Sequence, residues 1–68
     1  MTTIEQFNKC INDHGVGSQK VKTFYANVCK RQDQTDIKLC TNTLEDMYMG
    51  MYSVEGEIAY ELVKTYKK

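Results

Sequence analysis

Residues 18–30 read SQKVKTFYANVCK and contain the clearest helical pattern of the chain. Apolar side chains recur there at spacings of three and four, the period of one face of an α-helix. They are Val21, Phe24, Tyr25, Val28 and Cys29. Ser18 stands where an N-cap residue is expected, and the lysines lie off the apolar face. We therefore predict an amphipathic helix over residues 18–32 that packs on a core.

The residues before this stretch predict another helix, over residues 3–14. Its apolar positions are Ile4, Phe7 and Ile11. Thr2 and Glu5 stand at the spacing of a capping box, in which each side chain satisfies a backbone N–H group of the other residue. Gly15 is well placed to end the helix in a left-handed turn, because glycine adopts positive φ angles without steric cost.

The second half of the chain carries a heptad-like apolar run. Its members are Ile37, Cys40, Leu44, Met47, Met51, Val54 and Ile58. Residues 41–43 (TNT) prefer helix ends to helix interiors, so they interrupt the run. We therefore predict a short helix over residues 35–40 and a longer one over residues 44–66, divided or kinked near residues 50–53. A strand at residues 36–41 (DIKLCT) is the alternative, because its apolar residues alternate with polar ones.

Composition favours an all-helical protein of one domain. The chain has 68 residues, no proline and four glycines. A chain this short buries only about 60% of the surface that its unfolded form exposes. We predict an all-α fold, a compact small bundle of three to four helices that forms a single domain over residues 1–68. Domains of this size often gain stability from a metal, a disulfide or a partner chain.

The cysteine and histidine residues bear on the cellular compartment of the protein and on whether it binds a metal ion. Three cysteines and the absence of a secretory leader predict reduced thiols in the cytoplasm, and no apolar run is long enough for a membrane span. Cys10 and His14 lie four residues apart, and together with Cys29 and Cys40 they would supply the ligands of a tetrahedral zinc site. Each cysteine also falls on an apolar face, where a small hydrophobe fits. We expect no metal and no cofactor.

The stretch HGVGSQKVK, residues 14–22, places a glycine hairpin in front of the amphipathic helix. The order Gly-Val-Gly followed by Val21 and two aromatic residues resembles the helix-hairpin-helix family of DNA-binding motifs. The resemblance implies that backbone N–H groups at the helix start hold a phosphate. The residues concerned would be Gly15, Gly17, Ser18, Gln19, Lys20 and Lys22. Val21 and Asp13 depart from the family pattern, and we favour the simpler interpretation of a corner between two helices.

The sequence offers little for catalysis. It holds one histidine and two serines, and a chain of this size has little room for a substrate pocket of several hundred cubic ångströms. A nucleophile pair of Cys10 and His14 is compatible with helical spacing, but nothing else in the sequence supports it. We expect the protein not to be an enzyme.

Charge and side-chain type favour a protein contact in the second half. Net charge is zero, but residues 1–32 carry five basic and two acidic side chains, whereas residues 33–61 carry one basic and seven acidic. Residues 44–54 (LEDMYMGMYSV) form a helix that is apolar nearly all round, and methionine and tyrosine are common at contact surfaces. The predicted contact residues are Glu45, Asp46, Met47, Tyr48, Met51, Tyr52 and Glu55.

These features lead to two functional expectations. The first is a small intracellular regulator or inhibitor that binds a protein with a basic surface. The alternative is a nucleic-acid-binding module that uses the glycine hairpin, although the zero net charge disfavours it. The Met/Tyr segment also suits the central helix of a bundle or the interface of a homodimer. We expect no membrane partner.

Overall fold

The computed structural model describes residues 2–50 and 54–66 of the chain. These residues form four helices, α1 (Thr3–His14), α2 (Gln19–Lys30), α3 (Gln34–Gly50) and α4 (Val54–Tyr66). No strand occurs among them, so the predicted all-α bundle is confirmed and the alternative strand at residues 36–41 is wrong.

Helix α1 has the predicted bounds, whereas α2 begins after its predicted cap and ends at Lys30, two residues before the predicted end at residue 32. The capping box is present, since the Glu5 N–H donates to Thr2 Oγ1 and the Thr2 N–H donates to Glu5 Oε1, both at 3.3 Å. Ser18 Oγ accepts from the Val21 N–H at 3.3 Å and caps α2. Gly15 follows α1 with a φ of +87°, a positive angle that glycine adopts readily. Its ψ of 149° places it outside the left-handed helical region, so the predicted left-handed turn is only partly correct.

The predicted break at residues 41–43 is wrong, because α3 continues through all three. Thr41 is buried, and its Oγ1 lies 2.7 Å from the Tyr25 hydroxyl oxygen on α2. The Thr43 hydroxyl donates to the Leu39 carbonyl one turn earlier, at 3.2 Å. Both hydroxyl groups therefore find partners that leave the helical backbone intact. Tertiary packing overrides the weak helix propensity of these residues.

The long helix α3 also begins at a recognisable signal. Asp33 Oδ1 accepts from the N–H groups of Thr35 at 3.0 Å and Asp36 at 3.2 Å, as an N-cap aspartate does. At its other end α3 stops at Gly50, and α4 begins at Val54. The predicted helix 35–40 and residues 44–50 of the predicted helix 44–66 thus belong to one helix, α3. Residues 54–66 of the latter form α4. The predicted division near residues 50–53 falls on residues 51–53, which lie outside the described residues.

The core is assembled from all four helices and from the valine of the glycine hairpin. Its buried apolar residues are Phe7, Val16, Val21, Tyr25, Val28, Cys40, Leu44, Ala59 and Leu62. The ring centroids of Phe7 and Phe24 lie 5.5 Å apart, and those of Tyr25 and Tyr66 lie 6.2 Å apart. The apolar faces predicted for α1 and α2 are confirmed, since every predicted member is buried or packs against this cluster.

Candidate functional site

Helices α3 and α4 bring two tyrosine rings together at the surface. The ring centroids of Tyr48 and Tyr60 lie 5.2 Å apart with their planes at 86°, an edge-to-face arrangement. Tyr48 is half-buried, whereas Tyr60 is 49% exposed. The Tyr48 hydroxyl donates to Glu45 Oε2 on its own helix at 3.4 Å. The pair therefore presents aromatic surface to solvent with a carboxylate at its edge.

Met49 adds a second exposed side chain near the end of α3. Its side chain is 75% exposed. Glu45 and Met49 are four residues apart, so they are neighbours on one face of α3. We refer to Glu45, Tyr48, Met49 and Tyr60 as the tyrosine surface.

The hydroxyl group of Tyr48 is held in its protonated form. Partial burial raises the pKa of the Tyr48 phenol above its ordinary value, and the neighbouring Glu45 carboxylate and Tyr60 raise it further. At neutral pH the group therefore serves as a hydrogen-bond donor, whether to Glu45 or to a carbonyl or carboxylate of a bound molecule.

The structure separates the predicted contact residues by their exposure. Glu45 and Tyr48 belong to the tyrosine surface. Met47 is half-buried and packs against the core, as a residue of a central helix does. Asp46 and Glu55 are exposed, one near the end of α3 and the other at the start of α4. Tyr48 is half-buried and also packs against the core, so it joins the core to the surface.

Two residues of the tyrosine surface were not among the predicted contact residues. Met49 and Tyr60 lie off the heptad-like run, and their large apolar side chains stand on otherwise polar helix faces. That mismatch between side chain and position is the signal by which the sequence alone could have identified them. Two of the predicted contact residues, Met51 and Tyr52, lie outside the described residues.

The glycine hairpin forms a corner that packs on α4. Val16 is buried, and a Cβ atom added to Gly17 would lie 3.1 Å from Ile58 Cδ1. The Ser18 N–H donates to the Gly15 carbonyl at 3.1 Å, which closes the turn. These contacts account for the glycine-rich sequence by packing and backbone conformation, in agreement with the corner interpretation.

The same corner brings the residues of the alternative nucleic-acid site together at one end of α2. The N–H groups of Gly17, Gln19 and Lys20 donate to no acceptor among the described residues. Lys20 is exposed, and Lys22 is half-buried beside α4. Free donors at a helix N-terminus favour an anion, but here they lie next to a turn that is already explained by packing.

The residues considered for zinc do not form a metal site in the described chain. Residues 2–50 and 54–66 contain no group of three or more histidine, cysteine or acidic side chains placed to hold a metal ion. Cys10 and Cys29 are half-buried, and His14 is exposed at the end of α1. Burial raises the pKa of the Cys40 thiol to about 11, and the nearby Asp36 carboxylate adds to this effect. Without a metal, Cys40 is therefore a neutral thiol in the core at physiological pH.

No protein-family model, curated protein or solved structure matches this chain. None of the helices within the described ranges is long and apolar enough to cross a membrane. Evidence on function therefore comes from the surface of the molecule.

Proposed function

We propose that the protein is a small non-enzymatic binding protein of the cytoplasm, a regulator or inhibitor that contacts another protein through the tyrosine surface. The observation that carries the proposal is the Tyr48–Tyr60 ring pair, with Tyr60 exposed to solvent and the exposed Met49 following Tyr48 on α3. Met49 and Tyr60 are 75% and 49% exposed, so folding of the chain gains little from them. Tyrosine and methionine are enriched at protein interfaces, and tyrosine often carries much of the binding energy there.

The charges around this surface favour a partner with a basic surface. Glu45 lies at the edge of the tyrosine pair, and Asp46 follows it on α3. Glu55, in the first turn of α4, is also exposed. Complementary charge accelerates encounter and disfavours acidic competitors. Most of the binding energy would then come from Met49 and the two tyrosine rings, with the carboxylates contributing to partner choice.

Comparison of three variants in affinity enrichment from cell extract tests this proposal. The tagged wild type is compared with a double variant, Met49→Ser with Tyr60→Ser, and with a control, Leu39→Ser. Leu39 is also an exposed apolar residue of α3, 41% exposed, but it lies outside the tyrosine surface. We expect at least one protein with a basic surface to copurify with the wild type and the control, and its yield to fall about tenfold or more with the double variant. Equal yields from all three proteins would contradict the proposal, provided that circular dichroism shows the same helicity in each.

A second candidate function, nucleic-acid binding at the glycine hairpin, is supported by the free N–H groups of Gly17, Gln19 and Lys20. With Lys20 and Lys22 beside them, these donors suit a phosphate. The candidate predicts that a short DNA duplex binds at low salt, that the affinity falls steeply as salt is raised, and that Lys20→Glu with Lys22→Glu abolishes binding. Absence of duplex binding at about 20 mM salt rules it out.

A further inference from the structure

A groove follows the seam between α2 and α4, and Tyr60 is not among the residues that line it. Two adjoining hollows of about 430 and 450 Å³ make up the groove. Both are lined by Thr65 and Tyr66, so they lie next to each other. The groove is thus a surface distinct from the tyrosine surface.

The two ends of the groove differ in charge. One end is lined by Glu57 and Glu61, two carboxylates one helical turn apart, and by a single cation, Lys22. The other end is lined by Lys30 and by no carboxylate of a described residue, and the exposed Arg31 follows Lys30 at the C-cap of α2. One end is therefore acidic on balance and the other basic.

Apolar side chains are uncovered along the same groove. Val54, at the acidic end, is 71% exposed even though the heptad-like run predicts it to be buried. Ile58 and Tyr66 are half-buried in the wall formed by α4. The small side chain of Ala26, in the basic half, allows another helix to approach closely. The groove therefore combines apolar contact area with a charge pattern that has a direction.

We propose that this groove is the interface of a homodimer, and that its occupant is the α2–α4 face of a second copy of the chain. A two-fold axis that reverses the groove end for end places Glu57 and Glu61 of each copy against Lys30 of the other. Symmetry forms this pairing twice, as an isologous interface requires. A foreign basic helix would pair with the acidic end alone and would be repelled at the basic end, whereas a second copy satisfies both ends.

Size and net charge agree with self-association. The net charge is zero, so two copies do not repel one another at long range. A protein interface of ordinary size takes about 800 Å² from each partner, which is roughly a sixth of the 4668 Å² accessible surface of this chain. Such an interface adds buried apolar area to a domain too small to bury much of its own. The tyrosine surface lies outside this interface, so the dimer forms whether or not the proposed function is correct.

Charge reversal with rescue tests the proposal. Native mass spectrometry and sedimentation velocity at about 50 μM chain and low salt are applied to the wild type, to Glu61→Lys, to Lys30→Glu, and to an equimolar mixture of the two variants. We expect a dimer of the wild type and a dimer at least tenfold weaker for each variant alone, since like charges then face each other at both symmetric contacts. The mixture regains dimerisation as a heterodimer, because positions 61 and 30 then carry opposite charges at both symmetric contacts. Glu61 and Lys30 are exposed, so both variants keep the fold.

The control is a matched pair of charge reversals outside the groove. Glu55→Lys and Lys9→Glu change exposed residues that do not line it, and we expect both to dimerise as the wild type does. Three outcomes overturn the proposal: a wild type that is monomeric at 50 μM, a dimer that Glu61→Lys and Lys30→Glu leave unchanged, or a mixture that forms no heterodimer.

Discussion

Tyr25 and Tyr48 each help to join two helices, but they do so in opposite environments. Tyr25 is 0% exposed, and its hydroxyl oxygen lies 2.7 Å from Thr41 Oγ1 on α3. Tyr48 is half-buried, and its ring contacts Tyr60, which is 49% exposed. A buried hydroxyl needs a partner within the protein, so the first contact fixes how α2 packs on α3. An exposed ring has no such need, and this is why we assign the second contact to recognition rather than to folding.

Alanine substitution of Tyr25 and of Tyr60, the ring that Tyr48 contacts, gives the largest expected difference in unfolding free energy. Tyr25→Ala removes a buried ring and should cost about 3–5 kcal/mol of unfolding free energy. Tyr60→Ala removes an exposed ring and one aromatic contact, so it should cost no more than about 1.5 kcal/mol. Urea unfolding followed by circular dichroism measures both. Equal losses at the two sites would show that the tyrosine surface is part of the folding core.

Alkaline pH should destabilise the buried cluster around Tyr25. Burial raises the pKa of Tyr25 from 10.0 to about 12, and burial raises that of Cys40 from 9.0 to about 11. The unfolded chain therefore loses these protons first, so stability is unaffected below about pH 9 and falls above it. The free energy of unfolding should then fall by up to about 1.4 kcal/mol per pH unit for each group.

Removal of the thiol separates the two titrations. In Cys40→Ala the loss of stability caused by ionisation of Cys40 is absent. The remaining loss should begin only near pH 10, where tyrosine ionises in the unfolded chain. Unfolding free energies measured by urea titration between pH 8 and about pH 11 decide the matter. A decline that starts at pH 9 in this variant as in the wild type contradicts the assignment to Cys40.

The two hairpin glycines should differ, because only one has a positive φ. Gly15→Ala places a side chain at a φ of +87° and should cost about 1–3 kcal/mol. At Gly17 the added Cβ would meet Ile58 Cδ1 at 3.1 Å, the end of a flexible side chain that can move a few tenths of an ångström. Gly17→Ala should therefore cost less than about 1 kcal/mol. Thermal unfolding of the two variants tests the corner interpretation, which the reverse order would contradict.

The smallest expected effect compares two threonines of α3. Thr41→Val removes the hydroxyl partner of Tyr25 and should cost about 1 kcal/mol, the low end for an unsatisfied buried group, because Cys29 also hydrogen-bonds to Tyr25. Thr43→Val removes only a bond to the Leu39 carbonyl of its own helix and should change stability by less than about 0.5 kcal/mol. Chemical unfolding curves with matched slopes distinguish the two. If Thr43→Val costs more, local bonding rather than the contact with α2 keeps α3 continuous.

The sequence predicts those parts of the fold that depend on nearby residues. Thr2 with Glu5 caps α1, Ser18 caps α2, and the apolar spacing of both helices identifies their buried faces. The continuity of α3 could not be predicted in the same way, because the partner of Thr41 is Tyr25, 16 residues earlier in the chain. No local pattern encodes that contact, so propensity alone suggests a break.

The candidate site shows the same limit. Glu45 and Tyr48 are predictable because the Met/Tyr segment is conspicuous in composition. Tyr60 is not, since its importance depends on α4 packing beside α3 so that its ring meets that of Tyr48. Likewise the heptad-like pattern predicts Val54 to be buried, but Val54 is exposed. The pattern does not show which of its positions another helix covers.

Site-specific photocrosslinking in cells tests the central claim most directly. The photoreactive amino acid p-benzoylphenylalanine replaces Tyr60 in one protein and Leu39 in a matched control, both exposed positions on the outside of the bundle. If the tyrosine surface binds a partner, irradiation should link position 60 to another protein and leave position 39 without an adduct of the same mass. An equally strong adduct at position 39, or none at position 60 in a correctly folded protein, would contradict the account.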